Sequence, residues 1–332
     1  MVGRDGFRFE AGAEPAEADI APIRERLPTE PPDVAAVLGN RVLFAELAAT
    51  AMLPHVDAAC AHWNPDLLVR DPCEYAGAIV AGARSIPTAQ VGISQAQVEW
   101  GSLQVAAPAL EQHRAGLTAE IASAPYISRF PEVIDPSPFA TTLRYRTRPI
   151  GQLEPLPSWW PDRASGPLVY VSFGTVLPYM SFAADAYRFA LEALAGLDAR
   201  VLLTVGRSFP VDRLGSLPAN AHVEAWVDQD RVLREASIAV CHGGSGTLLG
   251  AIEAAVPLVV MPFFSDQRVN GRLVEQHRLG HVVASTFSAN DAVALAGTVE
   301  ALLADANQAD GFSKINAGWT HAPTAAQVLD RL

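Results

Sequence analysis

SIAVCHGGSGTLLGAIEAAV, residues 237–256, is the stretch that decides the fold. Its first part is a short apolar run ending at Cys241, its middle is glycine-rich, and its last part carries apolar residues at helical spacing. A strand that turns on glycines straight into a helix is half of a βαβ unit. Glycines let the backbone pass close to a ligand and adopt positive φ. The free N–H groups of the helix start, at the positive end of its dipole, suit a diphosphate. Ser245 and Thr247 are expected to cap the helix and to donate hydroxyl bonds to phosphate, and His242 to donate from the strand tip. Taken by itself, such a turn serves tight packing about as often as ligand binding.

Working outward, the same alternation repeats. Apolar runs at 166–175, 199–206, 221–226, 257–264 and 281–285 read as strands. Helical spacing fills 182–197, 230–236, 265–280 and 290–305 between and after them. Apolar strands alternating with helices imply a parallel sheet covered on both faces, here a doubly wound, Rossmann-like α/β domain. Ligands of such sheets bind beyond the carboxyl ends of the strands. SFGT (172–175), AWVDQ (225–229), CHGGSGT (241–247) and FFSDQRVN (263–270) all lie at strand carboxyl ends, so they converge on one crevice.

In order and spacing, these four segments resemble the donor domain of family 1 glycosyltransferases of the GT-B fold. They are most similar to the bacterial branch that glycosylates antibiotics and other natural products. That family shows a strand ending S-F-G-T/S, then W-x-P-Q, H-G-G-x-G-T and P-x-x-x-D-Q-x-x-N. The resemblance is strong from Leu168 to Gly280 and loose in the N-terminal half. It implies two Rossmann-like domains facing a cleft. It implies that Trp226 stacks on a nucleobase, with Val227 beside it and Gln229 near base or ribose. It assigns the diphosphate to His242, Gly244, Ser245, Gly246 and Thr247, with Gly174 and Thr175 opposite. Asp266 and Gln267 would meet the sugar, Asp266 also capping its helix. The donor is then a UDP- or dTDP-sugar and the acceptor a hydroxyl of a small apolar natural product. Asp228 stands where the family usually has proline and makes Asp228–Asp230 look like a D-x-D metal site. Enzymes of this fold use the helix terminus instead, so neither metal nor cofactor is expected.

The N-terminal half reads as strand and helix again: helix at 31–63, strand 66–70, helix 74–85, strand 87–94, helix 109–124 and strand 141–146. The segments 97–105 and 125–139 read as irregular and aromatic. RPIGQLEPLPSWWPDRASGP (148–167), rich in proline and glycine, reads as a linker between domains 1–150 and 151–332. In the resembling family an early G-H-x-x-P histidine takes the acceptor proton and a later aspartate charges it. Asp71, after strand 66–70, matches the aspartate and serves equally well as a cap before Pro72. No G-H-x-x-P precedes it. The expectation is an N-terminal domain lacking its first strand-helix-strand, either in this stretch of sequence or by loss, the former being favoured because that strand is central. His55 and His62 sit on a helix and are poor substitutes; Glu74 and Glu99 are candidates for acceptor-site carboxylates, with no spacing argument behind them.

Composition narrows the class. A chain of 332 residues suits two domains. It is 50% hydrophobic and 18% charged, which is a globular composition. A net charge of -12 argues against a nucleic-acid partner. Three cysteines, none in C-x-x-C, fit a reducing cytoplasm. The N-terminus lacks a secretory signal, and the apolar stretch 248–264 is broken by Glu253 and Pro257, so no stable membrane insertion is expected. The sequence leaves room for a homodimer. Two other functions fit less well. A non-catalytic sugar-nucleotide-binding partner of a transferase would explain the missing base motif. A GT-B-fold sugar-nucleotide epimerase is opposed by the tryptophan and Asp-Gln motifs.

Overall fold

The computed structural model describes residues 6–27, 29–146, 156–157, 159, 166–305 and 309–332. The polypeptide divides into two compact units, 1–147 with 322–332, and 148–321. Most of the linker at 148–167 lies outside the described residues.

The second unit is a parallel sheet of β5 (Leu168–Ser172), β6 (Arg200–Thr204), β7 (Ala221–Glu224), β8 (Ile238–Cys241), β9 (Leu258–Val260) and β10 (Gly280–Val282). Their spatial order is β10-β9-β8-β5-β6-β7, and every pairing is parallel. The chain thus runs outward from β5 to β7, returns, and runs outward from β8 on the other side. The order reverses between β5 and β8, which is where doubly wound sheets open a crevice. The expected strands are therefore present, in the Rossmann arrangement. β5, β8 and β9 are buried at every residue, which explains why they read as unbroken apolar runs. The helix Ala183–Leu194 buries Ala183, Tyr187, Ala190, Leu191 and Leu194 at helical spacing against β5 and β6. Each of the two buried leucines contributes roughly 1.5–3 kcal/mol. β10 closes on β9 only because residue 280 is glycine: its φ is +151°, and a Cβ there would stand 1.8 Å from the Leu258 carbonyl oxygen.

The first unit holds a smaller parallel sheet in plain sequence order, β1 (Leu68–Arg70), β2 (Thr88–Val91), β3 (Tyr126–Ser128) and β4 (Thr142–Arg144). A helical stretch runs from Pro32 to Trp63, with π-type bonding over Val37–Ala48. By length and composition alone it could cross a membrane; it packs beside the helix Ala96–His113. That helix corrects the reading of 97–105 as irregular. Ala96, Glu99, Leu103, Ala106 and Leu110 are buried at helical spacing, and Pro108 sits within it. The helix expected over 109–124 is instead the end of this one and a second, Leu117–Ser123, started by Gly116 at φ +82°. The C-terminus also differs from a simple cut at residue 150. Arg146 donates its N–H to Pro323 and its Nε to the Ala322 carbonyl, and Val328 is buried with Ala89 and Ile127. The last residues therefore complete the first unit.

Candidate functional site

At the switch point of the larger sheet lies a cavity of about 430 Å³. Its walls are the carboxyl ends of β5 to β9 and the segments after them. Gly174, Thr175, Trp226, Val227, Gln229, His242, Gly244, Ser245, Gly246, Thr247, Asp266 and Gln267 all line it. Every donor-side residue selected from the sequence is thus brought to one place. Ser172 and Phe264, inside the SFGT and FFSDQRVN segments, line it too, as do Tyr170, Thr204 and Gly206, which no motif marks and which only their place on or after β5 and β6 could have found.

The turn after β8 is built around the His242 ring. A Cβ on Gly174 would stand 2.8 Å from the imidazole, and one on Gly244 2.3 Å from Nε2. The ring is sandwiched between two glycines distant in sequence. Gly174 also has φ +77°, a conformation glycine adopts freely. Gly243, at φ +87°, would place a Cβ 2.9 Å from the Gln267 carbonyl oxygen. Burial lowers the His242 pKa, while the Ser172 backbone and the Asp266 carboxylate pull it the other way. A neutral imidazole can still donate one N–H to an anion.

The helix Ser245–Glu253 starts at Gly244, and no side chain caps it. The expected caps are corrected: Ser245 and Thr247 lie inside the first turn. Thr247 Oγ1 donates to Gln229 Oε1 at 3.0 Å, and Ser245 Oγ donates to Asp266 Oδ2 at 3.4 Å. The N–H groups of Ser245 and Gly246 therefore face the cavity without a side-chain cap, the arrangement an anion requires.

Asp266 occupies the N-cap position of the helix Gln267–Gln276 yet makes no cap bond. Its backbone is already helical, so its carboxylate turns outward and accepts from Ser245 and from Asn270 Nδ2 at 3.2 Å. Asn270 also donates to the Gly243 carbonyl at 2.7 Å, tying this helix to the glycine turn. Gln267 is 4% exposed, and its Oε1 accepts the N–H groups of Phe263 and Phe264. Its carbonyl folds its own loop, and only its amide nitrogen is left over for a ligand. Asp228 caps the helix Gln229–Glu235 through the Arg231 N–H, which accounts for it without a metal. Trp226 is 57% exposed, and the Arg207 guanidinium lies 4.8 Å from its ring centroid.

Asp71 lies in the other unit, after β1. Its Oδ1 accepts the Cys73 N–H at 2.8 Å, so it does cap the turn. Buried Arg70 clamps that turn by donating to the carbonyls of Asp71, Pro72 and Glu74. Glu74 caps the helix Tyr75–Arg84 through the Gly77 N–H. Glu99 is 4% exposed, and burial pushes its carboxyl up to about 7.

Residues 188–332 match the erythromycin biosynthesis protein CIII-like C-terminal domain. The elloramycin glycosyltransferase ElmGT of Streptomyces olivaceus is 30% identical over 296 residues, covering 87% of this chain and 73% of that protein. The structure of the glycosyltransferase SnogD from Streptomyces nogalater superposes with a TM-score of 0.69 at 26% identity, over 89% of this chain and 79% of that one. The glycosyltransferase VinC, solved in complex with dTDP, shares the fold, with a TM-score of 0.72 at 20% identity over 99% and 88% of the two chains. Across three curated relatives the chain spans 40%, 73% and 59% of their lengths. With the four sequence motifs gathered around one cavity at the switch point and relatives aligned over most of the chain, the protein belongs to the family 1, GT-B-fold glycosyltransferases of the antibiotic and natural-product branch.

Proposed function

We propose that the protein moves a sugar, with inversion, from a dTDP- or UDP-sugar to a hydroxyl of a small apolar natural product. The cavity at the switch point carries this reading: a helix start without a side-chain cap, a half-buried histidine and an exposed tryptophan stand around one space. The diphosphate would rest on the N–H groups of Ser245 and Gly246, with the Thr175 hydroxyl opposite and a donor N–H from His242. Trp226 would stack on the base, Val227 and Gln229 beside it. Thr247 acts on Gln229 and so sets that side chain. Asp266 would accept from sugar hydroxyls, and the Gln267 amide would donate to them.

In the reaction the acceptor oxygen attacks the anomeric carbon, the bond to the diphosphate oxygen breaks, and that oxygen keeps the electron pair. The helix terminus stabilises the charge on the leaving group as it develops. The acceptor proton must go to a base. We assign Asp71 to that half of the chemistry, as the carboxylate that orients and charges the base, the part its place after β1 matches. That VinC was solved with dTDP supports dTDP as the nucleotide.

The test is titration calorimetry with dTDP and UDP, followed by assay of nucleoside diphosphate release from dTDP-glucose or UDP-glucose with a panel of apolar phenols, 4-methylumbelliferone among them. Saturable binding and acceptor-dependent release are expected. Binding of neither nucleotide would sink the donor site; binding without acceptor-dependent release would sink the transfer.

A further inference from the structure

The chain leaves β2 through Gly92, Ile93 and Ser94, at the carboxyl end of the smaller sheet. The N–H groups of Ile93 and Ser94 both donate to Glu99 Oε1, at 2.7 and 2.8 Å. The other carboxylate oxygen accepts the Tyr126 hydroxyl. Tyr126 is fully buried and stacked on Phe139, with centroids 4.3 Å apart, so it has no freedom to leave. Gly92 makes room for the pair: a Cβ there would stand 2.3 Å from the Tyr126 hydroxyl and 3.1 Å from Glu99 Oε2.

The result is a short loop strapped down by one carboxylate. A carboxylate is a costly choice, because burying a charge requires several donors to compensate. Glu99 receives three, from β3 and from the loop itself. What the strap displays is Ile93, 62% exposed. A lone exposed isoleucine is ordinary on a surface. One held by a buried acid, at the end of a parallel sheet where ligands bind, is not.

We propose that Glu99 is a positioning residue, whose carboxylate fixes the Gly92–Ser94 loop so that Ile93 presents an apolar contact to the acceptor. This rests on the transferase reading above. The groups facing Glu99 are Asp71 on the turn after β1, Cys73 beside it, and Tyr126 on β3, with Asp135 acting on Tyr126 from the loop beyond. Burial, with a smaller push from Asp71, favours the protonated carboxyl, and the three donors favour the ionised one. The strap therefore changes form near neutral pH.

Two variants of the full chain test this, Glu99→Gln and Ile93→Ala. The second is a surface change and cannot fail through misfolding. By hydrogen exchange above pH 7, where Glu99 is ionised and its oxygen accepts both amides more strongly than a neutral amide oxygen does, the Ile93 and Ser94 amides should open about tenfold faster in E99Q and at the wild-type rate in I93A. In the assay with 4-methylumbelliferone or another accepted phenol, both variants should raise the acceptor KM about fivefold with kcat and dTDP affinity within twofold. The wild-type acceptor KM should bend near pH 7 and that of E99Q should not. Unchanged exchange in E99Q overturns the strap. An acceptor KM unmoved in I93A, or a loss confined to kcat, overturns the acceptor contact. If the wild type binds dTDP but turns over no phenol, the transferase reading fails and takes the acceptor contact with it, while the exchange result still decides the strap.

Discussion

The two units of this molecule place polar groups in opposite ways. The larger one uses its backbone. Its cavity is floored by a glycine turn, and a histidine fits between two residues that lack a Cβ. The smaller one uses buried side-chain charge. Arg70, Glu99 and Asp135 are each under 5% exposed, and each holds a piece of loop: the Asp71 turn, the Ile93 loop and the Ala96 N–H. A glycine turn tolerates change in pH and fails on added volume. A buried charge tolerates small volume changes and fails on titration. The contrast makes each unit breakable by a different kind of substitution.

The largest effect should come from the smaller unit. Asp71→Asn keeps an oxygen for the Cys73 N–H, so the turn should survive. If the carboxylate serves the acceptor proton, turnover falls roughly 10²–10⁴-fold while dTDP affinity holds. A kcat within threefold of wild type would reduce Asp71 to its cap, and the smaller unit to a scaffold for acceptor contacts. Next is the stability of that unit against pH. The folded state holds the Glu99 proton up to about pH 7, whereas an unfolded chain releases it near 4.5. Stability from this group is therefore full below the lower value and is lost as pH rises to about 7. The swing is on the order of 3 kcal/mol. Denaturant melts between those limits should show a downward slope that Glu99→Gln flattens; equal slopes would mean the carboxylate is not the buried titrating group.

The same contrast explains what could be read from the sequence. The larger unit was legible because its site is local: strand, glycine turn and helix follow one another within 237–256, and the other motifs recur at strand ends. The roles of Ser245, Thr247 and Asp266 were not, because a side chain near a helix start can cap it or bridge away, and only the fold brings Gln229 to Thr247 and Asp266 to Ser245. In the smaller unit Glu99 and Tyr126 are 27 residues apart and belong to no motif. The helix Ala96–His113 was missed because glutamate, glycine and tryptophan interrupt an otherwise alanine-rich apolar face.

In the larger unit the volume test is Gly244→Ala. Its φ is -66°, which alanine adopts freely, so the change adds only a methyl against the His242 ring. We expect dTDP affinity to fall roughly thirtyfold, about 2 kcal/mol, with little pH dependence. Binding within threefold would mean the ring can move aside and that the packing around it does not shape the anion site.

Trp226→Ala should have the smallest effect. The ring is 57% exposed, so its loss should leave the melting temperature within about 2 °C, surface substitutions being nearly neutral. Stacking on a base is worth about 1–3 kcal/mol, so dTDP should bind about tenfold more weakly. Arg207 complicates the reading, because its guanidinium already lies over the ring and a base must share or displace it. The double variant with Arg207→Ala separates these cases. If the base displaces the arginine, Arg207→Ala alone tightens binding and the two changes are coupled. If it stacks on the opposite face, Arg207→Ala weakens binding slightly and the changes nearly add. Should Trp226→Ala bind dTDP as wild type does, the larger unit would hold its nucleotide by backbone alone, and the division of labour between the two units would be sharper still.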